Sequence, residues 1–189
     1  MSSFRRLLFR TGLTVITLAF LFGTPEAVET NATPLQSLFM IKQLVPTAKT
    51  IGLMWTDAGD NNLELMTQIT RASATEGTKV IVENVGNLSD VAAQFRDLTD
   101  SYHIQVLWIA QNVDLLSNSI SKSYLIKNSA VHGIPLFAPN GQWVSEGACA
   151  AVVNDGGSAK LVVNQKTLSA LGLKVPDKFS SVTQVVSNN

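Results

Sequence analysis

The side chains with the chemistry to engage a partner fall in three polar stretches, each directly after a short apolar run. Trp55, Thr56, Asp60, Asn61 and Asn62 follow the first run, Gln111, Asn112 and Asp114 the second, and Asn140, Gln142 and Trp143 the third. Together they offer amides, a hydroxyl, carboxylates and indole rings, a neutral and acidic set. Such a set suits a small polar ligand held by hydrogen bonds, helix N-termini and one or two stacked rings. The same residue types are also ordinary caps and turn formers, and the sequence leaves both readings open.

Reaction chemistry finds less support. No G-x-x-x-x-G-K-[ST] follows a strand, and TDAGDNN lacks the glycine spacing of G-x-G-x-x-G, so neither signature of nucleotide phosphate binding is present. A phospho-receiver needs an aspartate where the third strand ends, and Gln111 and Asn112 stand there. No G-x-S-x-G elbow supplies a hydrolase nucleophile. His103 and His132 each end a helix just before a strand, at the sheet edge opposite the polar stretches, where capping is the expected role. No His, Cys and carboxylate cluster has metal-ligand spacing. Cys149 lies in GACAAVV among small and β-branched residues, as a buried structural thiol does. The expectation is a non-enzyme with no cofactor and no metal.

Positioning the three polar stretches falls to a repeated strand and helix unit. Thr50 to Trp55 is a nearly continuous apolar segment, as expected of a strand buried on both faces. Leu63, Met66 and Ile69 then recur at helical spacing up to Gly77. Ahead of it, Thr33 and Pro34 open an amphipathic helix that stops before Pro46. Lys79 to Val85 reads as the second strand, with Asn87 or Ser89 as cap and Ala92, Phe95 and Leu98 marking its helix. Gln105 to Ala110 is the third strand, followed by a helix striped by Leu116, Ile120 and Tyr124. Ile134 to Ala138 is the fourth. Ala148 to Val153 reads as a fifth strand or a packed loop, and from Asn154 the pattern weakens to a turn, a short apolar run at Leu161 to Val163 and a helical turn or two at Thr167 to Leu171. Four alternations predict an α/β fold: a single doubly wound, Rossmann-like lobe with a mainly parallel sheet of four to five strands in three α/β/α layers.

The ends read differently. Arg5, Arg6 and Arg10 precede an apolar run, Thr11 to Gly23, shorter than the roughly 20 residues a spanning helix needs. Residues 1–27 are therefore expected to be a signal peptide, 28–34 a linker, 35–176 the lobe and 177–189 a loose C-terminal tail. That organisation implies an exported, periplasmic protein that meets the membrane only through its leader if the leader stays uncleaved. Of 14 basic and 14 acidic residues, loss of the leader removes Arg5, Arg6, Arg10 and Glu26, leaving 11 and 13 and a net charge of −2. This balance does not suggest nucleic acid as a partner. A single cysteine allows no internal disulfide. Asn31 and Asn87 begin glycosylation triplets, relevant only in a host that modifies exported proteins.

The order of segments resembles a known family. LFMIKQLVPTAKTIGLMWTDAGDNN is similar to the start of the second lobe in ABC-transporter substrate-binding proteins of the tryptophan/tyrosine type, within the type 1 periplasmic-binding group. IPLFAPN, EGACAAVV and KLVVNQKTLSALGLKVP continue the likeness, which covers roughly residues 35–176. The resemblance implies non-catalytic binding of a small solute, an amino acid or similar polar metabolite, with an ABC permease as partner. Family members close two lobes on the ligand, and the chain shows no counterpart of the first between the leader and Leu35. The link from Asn154 to Ala159 is also shorter than the family's. A second expectation follows: a lone lobe serving as a periplasmic protein-interaction or regulatory module, its open face meeting another protein or a second copy near Trp143 and Val144.

Overall fold

A computed structural model describes residues 30–56 and 62–186. The expected leader, and the site candidates Asp60 and Asn61, lie outside the described residues.

Helix α1 (Pro34–Leu44) begins where the sequence sets a cap beside a proline. Thr33 Oγ1 accepts from the Gln36 N–H at 3.3 Å while the Gln36 side chain accepts from the Thr33 N–H at 2.9 Å. This reciprocal box satisfies two backbone donors that the helix itself cannot. The face carrying Leu38, Ile41 and Leu44 is buried. Each such side chain contributes about 1.5–3 kcal/mol.

Strand β2 (Thr50–Trp55) lies between its parallel neighbours β3 (Lys79–Asn84) and β4 (Val106–Ile109). Ile51 through Trp55 are all buried because both faces of the strand are covered. Ile51, Leu53 and Trp55 pack on one side with α1 and α2 (Asn62–Glu76), and Met54 packs on the other with Leu107, Ile109 and residues of α3 (Leu88–Arg96). Those two cores are the spaces between the three layers. Parallel pairing continues through β5 (Leu136–Ala138) to β6 (Ala150–Asp155), giving the order β3-β2-β4-β5-β6. In this doubly wound order the direction of winding reverses between β2 and β4, and all three of the first strands end at the same edge.

The sheet is larger than the four to five strands expected, with eight among the described residues. Strand β7 (Ser158–Asn164) returns antiparallel to β6 through Gly156 and Gly157, both at positive φ, with Asn154 Oδ1 accepting the Gly157 N–H at 2.8 Å. Two central residues at positive φ suit a tight hairpin. Strand β8 (Thr183–Val186) adds in parallel to β7, and β1 (Thr30–Asn31) pairs antiparallel with Val153 and Asn154 on the side of β6 that β5 occupies at Ala150 and Ala151. Residues 177–186 are accordingly not a loose tail. Leu173, Val175, Phe179 and Val182 pack on the first core, and a 3-10 turn over Asp177–Val182 leads into β8. Their irregular spacing hides this docking from a periodicity reading.

Two further differences concern the second half. The helix expected to carry Leu116, Ile120 and Tyr124 on one stripe is broken into α4 (Asp114–Ser117) and α5 (Ser119–Val131). Asn118 Oδ1 accepts the Ile120 N–H at 2.9 Å and restarts the helix on a new face, so Ile120 is exposed and Ser121, Leu125 and Ser129 are buried. Residues after Ala138 are likewise not an open loop: Asn140 caps a short α6 (Gly141–Ser145).

Candidate functional site

Beyond the carboxyl ends of β2, β3 and β4 lies an open cleft of about 690 Å³. Thr56 enters its wall from β2, Asn84, Val85 and Gly86 from β3, and Asn112 to Leu115 from the loop after β4. This is the crevice in which doubly wound sheets bind ligands. Thr56 is only 3% exposed, and its Oγ1 has no hydrogen-bond partner among the described residues. A buried polar group left unpaired costs on the order of 1–3 kcal/mol, so a partner supplied from the cleft would gain by satisfying it.

The corner between β3 and α3 is closed internally. The Val85 N–H donates to the Trp55 carbonyl at 2.7 Å, and the Gly86 and Asn87 N–H groups both donate to Asp90 Oδ2 at 3.1 Å. Asn87 Oδ1 accepts from the N–H groups of Ser89 at 2.9 Å and Asp90 at 3.3 Å. The donors that often make a helix N-terminus attractive to anions are thus used within the protein. On the other wall, Val113 carbonyl oxygen accepts from Leu116 and Ser117 N–H, and Asp114 stands exposed in the first turn of α4. Asp114 takes part in neither ion pair found among the described residues, Lys122 with Glu146 and Lys160 with Asp155. Among the described residues no Lys, Arg or His lines the cleft.

Thr56, Asn112 and Asp114 are therefore brought together, and other expected rim residues go elsewhere. Asn62, at the start of α2, reaches back with its Nδ2 3.5 Å from the Thr56 carbonyl oxygen. Trp55 is buried on the α1 side of the sheet, so its ring does not stack in the cleft. Trp143 is 1% exposed and packs in the second core, because Asn140 Oδ1 holds its N–H at 3.3 Å and winds α6 inward. Asn140 is thus a helix cap beyond β5, outside the cleft walls. Burial of Trp143 and Val144 also removes the apolar surface expected there. Gln111 is half-buried and Gln142 donates to Glu146 at 3.2 Å. Asn84 to Gly86 were absent from the expected set, although the rule that successive strand ends of a parallel sheet share one edge would have included them.

Remaining reactive groups lie away from the cleft. His132 caps α5, its Nδ1 2.8 Å from the Asn128 carbonyl oxygen and its ring edge-on to Phe95. His103 Nδ1 lies 3.3 Å from the Thr99 carbonyl oxygen. Burial pushes the Cys149 thiol up to about 12, which leaves it un-ionised and unreactive. Among the described residues no group of His, Cys, Asp and Glu could hold a metal, and no helix is long and apolar enough to cross a membrane. A second cleft of about 540 Å³ between α7 (Gln165–Ala170) and β8 carries no buried unpartnered side-chain atom.

Residues 28–158 match the sequence profile of the family described as ABC transporter substrate binding protein. No curated protein sequence matches the chain. Several solved structures share its fold. An ABC domain from Streptococcus pneumonia, in complex with L-Trp, is 19% identical with a TM-score of 0.71 over 82% of this chain and 62% of its own. A conserved domain protein from Vibrio cholerae is 16% identical, with a TM-score of 0.68 over 84% and 62%. The ligand-free, open structure of CD0873 from Clostridium difficile, a substrate binding protein with adhesive properties, is 21% identical with a TM-score of 0.64 over 81% and 59%. The chain therefore spans less than two thirds of each of these relatives.

Proposed function

Because the chain belongs to the ABC transporter substrate-binding protein family, we propose that it binds a small polar solute, an amino acid or similar metabolite, in the cleft at the carboxyl ends of β2, β3 and β4. The role is recognition without chemistry, linked to an ABC permease. Residues 1–27 serve as the export leader, and residues 35–176 are the lobe that works outside the cytoplasm. The observation that carries this reading is Thr56: a buried hydroxyl without a partner among the described residues, in the wall of the cleft where this fold binds ligands. Thr56, Asn112 and Asp114 are the contact residues. Support for the solute class comes from the L-Trp complex of a structural relative. The cleft is open, so a second wall has to come from another lobe or another molecule.

Thermal-shift measurement of the full chain against an amino-acid and polar-metabolite panel, followed by light scattering, tests the proposal. At least one compound is expected to raise the midpoint, since a ligand at 100 times its Kd stabilises by about 2.7 kcal/mol. A flat panel would count against solute binding. A flat panel together with a mass that doubles with concentration would favour the second reading, an interaction module. That reading has one observation of its own: Leu63 at 84% and Ile120 at 70% exposure, with Leu88 half as open, stand in the first turns of three helices around the same sheet edge.

A further inference from the structure

We propose that the outer edge of β3 is a self-association site: two copies of this chain pair antiparallel along Lys79–Asn84, about a two-fold axis at Ile81, and join their sheets. The inference does not depend on solute binding.

The edge is open. Among the described residues β3 pairs with β2 alone. The Lys79 N–H donates to the carbonyl of Lys49, just ahead of β2, at 2.8 Å, and the Val85 N–H to that of Trp55 at 2.7 Å. Residues that bond one neighbour alternate along a parallel ladder, so Val80 and Val82 turn their N–H and C=O groups to the outer side. Val80, Ile81 and Val82 are only half-buried, the two valines over the first core and Ile81 over the second. A β-branched edge of this kind is a template for another strand.

The charges name the occupant. Lys79 and Glu83 share a face with Ile81, since alternate strand residues do, and stand symmetrically before and after it. With the axis at Ile81, Lys79 of one copy lies opposite Glu83 of the other, twice over by symmetry. Val80 then faces Val82 and their outward groups exchange hydrogen bonds, while the two Ile81 side chains meet in a pair of the closer, non-hydrogen-bonded kind. Moving the axis to Val80 or Val82 sets Lys79 or Glu83 against Ile81 and loses both ion pairs. Opposite charges directly across a strand pair stabilise it, and like charges destabilise it. Edge strands commonly carry charge that turns other chains away; here the two charges have opposite sign, so a second copy is the strand they attract. Partial burial, and then the charge of Asp97, holds the Glu83 carboxyl above the usual carboxylate range. That penalty stands in the single chain, and Lys79 from a second copy supplies the positive charge that offsets it. At the other end of the sheet, β8 (TQVV) has no charged residue to set a register.

The test is size-exclusion chromatography with light scattering of the full chain over a dilution series. The mass is expected to move between one chain and two, with salt favouring the single chain. Lys79→Glu and Glu83→Lys each set like charges opposite one another and should weaken pairing at least about tenfold. The double variant restores opposite charges across the axis and should restore pairing. Leu63→Ser, at the first turn of α2, should leave pairing unchanged. Ile81→Cys tests the register without altering a charge: Cα atoms about 4.5 Å apart at such a pair are within disulfide reach. Mild oxidation of that variant should therefore give a covalent dimer, while Cys149 stays buried and free. A single-chain mass at every concentration, pairing that both single variants leave intact, no recovery in the double variant, or no covalent dimer from Ile81→Cys would overturn the proposal. Loss of the dimer in Leu63→Ser with its retention in Lys79→Glu would also overturn it, and would place the contact at the cleft rim.

Discussion

Gly52 shows how little room the middle of the sheet allows at the level of one residue. A methyl group built on it would lie 2.7 Å from Ile104 Cδ1, 3.0 Å from Ile104 Cγ2 and 3.0 Å from Leu98 Cδ2. In a close-packed interior those side chains have to repack to admit it, so Gly52→Ala is expected to destabilise by about 1–3 kcal/mol. For a chain of this size each kcal/mol lowers the midpoint by about 2–4 °C, which calorimetry reads directly. Glu83 makes a prediction of a different kind. Its carboxyl is held above the usual carboxylate range, first by partial burial and second by the charge of Asp97. A folded-state pKa above the unfolded one means that the ionised form is disfavoured by folding. The resulting penalty is absent below about pH 4.5, where both states are protonated, and present once the pH passes the raised folded value. Glu83→Gln should therefore raise the midpoint at pH 7 to 8 relative to the parent, with the gain vanishing toward pH 4. A gain that is constant across that range would assign the effect to packing.

At the level of elements, the segment after α7 is the least legible part of the chain and the easiest to test. Phe39 on α1 and Phe179 in the 3-10 turn meet edge to face, with ring centroids 6.0 Å apart and planes at 79°. If that contact anchors β8, a double-mutant cycle of Phe39→Ala and Phe179→Ala should give a coupling of about 0.5–1.5 kcal/mol in denaturant unfolding. A coupling near zero would mean that β8 is held by its ladder to β7 alone. The elements before Asn154 were readable because each carries its own signal. Thr33 and Pro34 announce α1, Ile51 to Trp55 form one apolar run, and Gly77 stops α2. The elements after Asn154 depend on partners far away in sequence. Thr183 to Val186 becomes a strand through pairing with Leu161 to Asn164, and no local pattern encodes that. The break at Asn118 was missed for the opposite reason: a local side-chain cap overrode an apparent stripe.

For the whole molecule, the winding of the sheet determined more of the site than any motif did. Thr56, Asn112 and Asp114 are up to 58 positions apart in number, yet they share a cleft because β2 and β4 are neighbours with parallel direction. Asn140 and Trp143 also follow a parallel strand, but β5 stands one place further from the reversal and α6 turns the indole into the core. Residue type and strand end were legible; distance from the reversal point was not, since it follows from strand order.

The direction of the outermost strands has a practical consequence for handling the protein. Thr30 pairs with Asn154 and Asn31 with Val153 in antiparallel register, so chain preceding Thr30 joins the lobe at the edge that bears the cleft. Strand β8 is parallel to β7, which itself opposes β6, so residue 186 leaves from the far edge. A tether attached beyond Val186 would present the cleft outward from a sensor surface, whereas the same tether ahead of Thr30 would hold it toward the support.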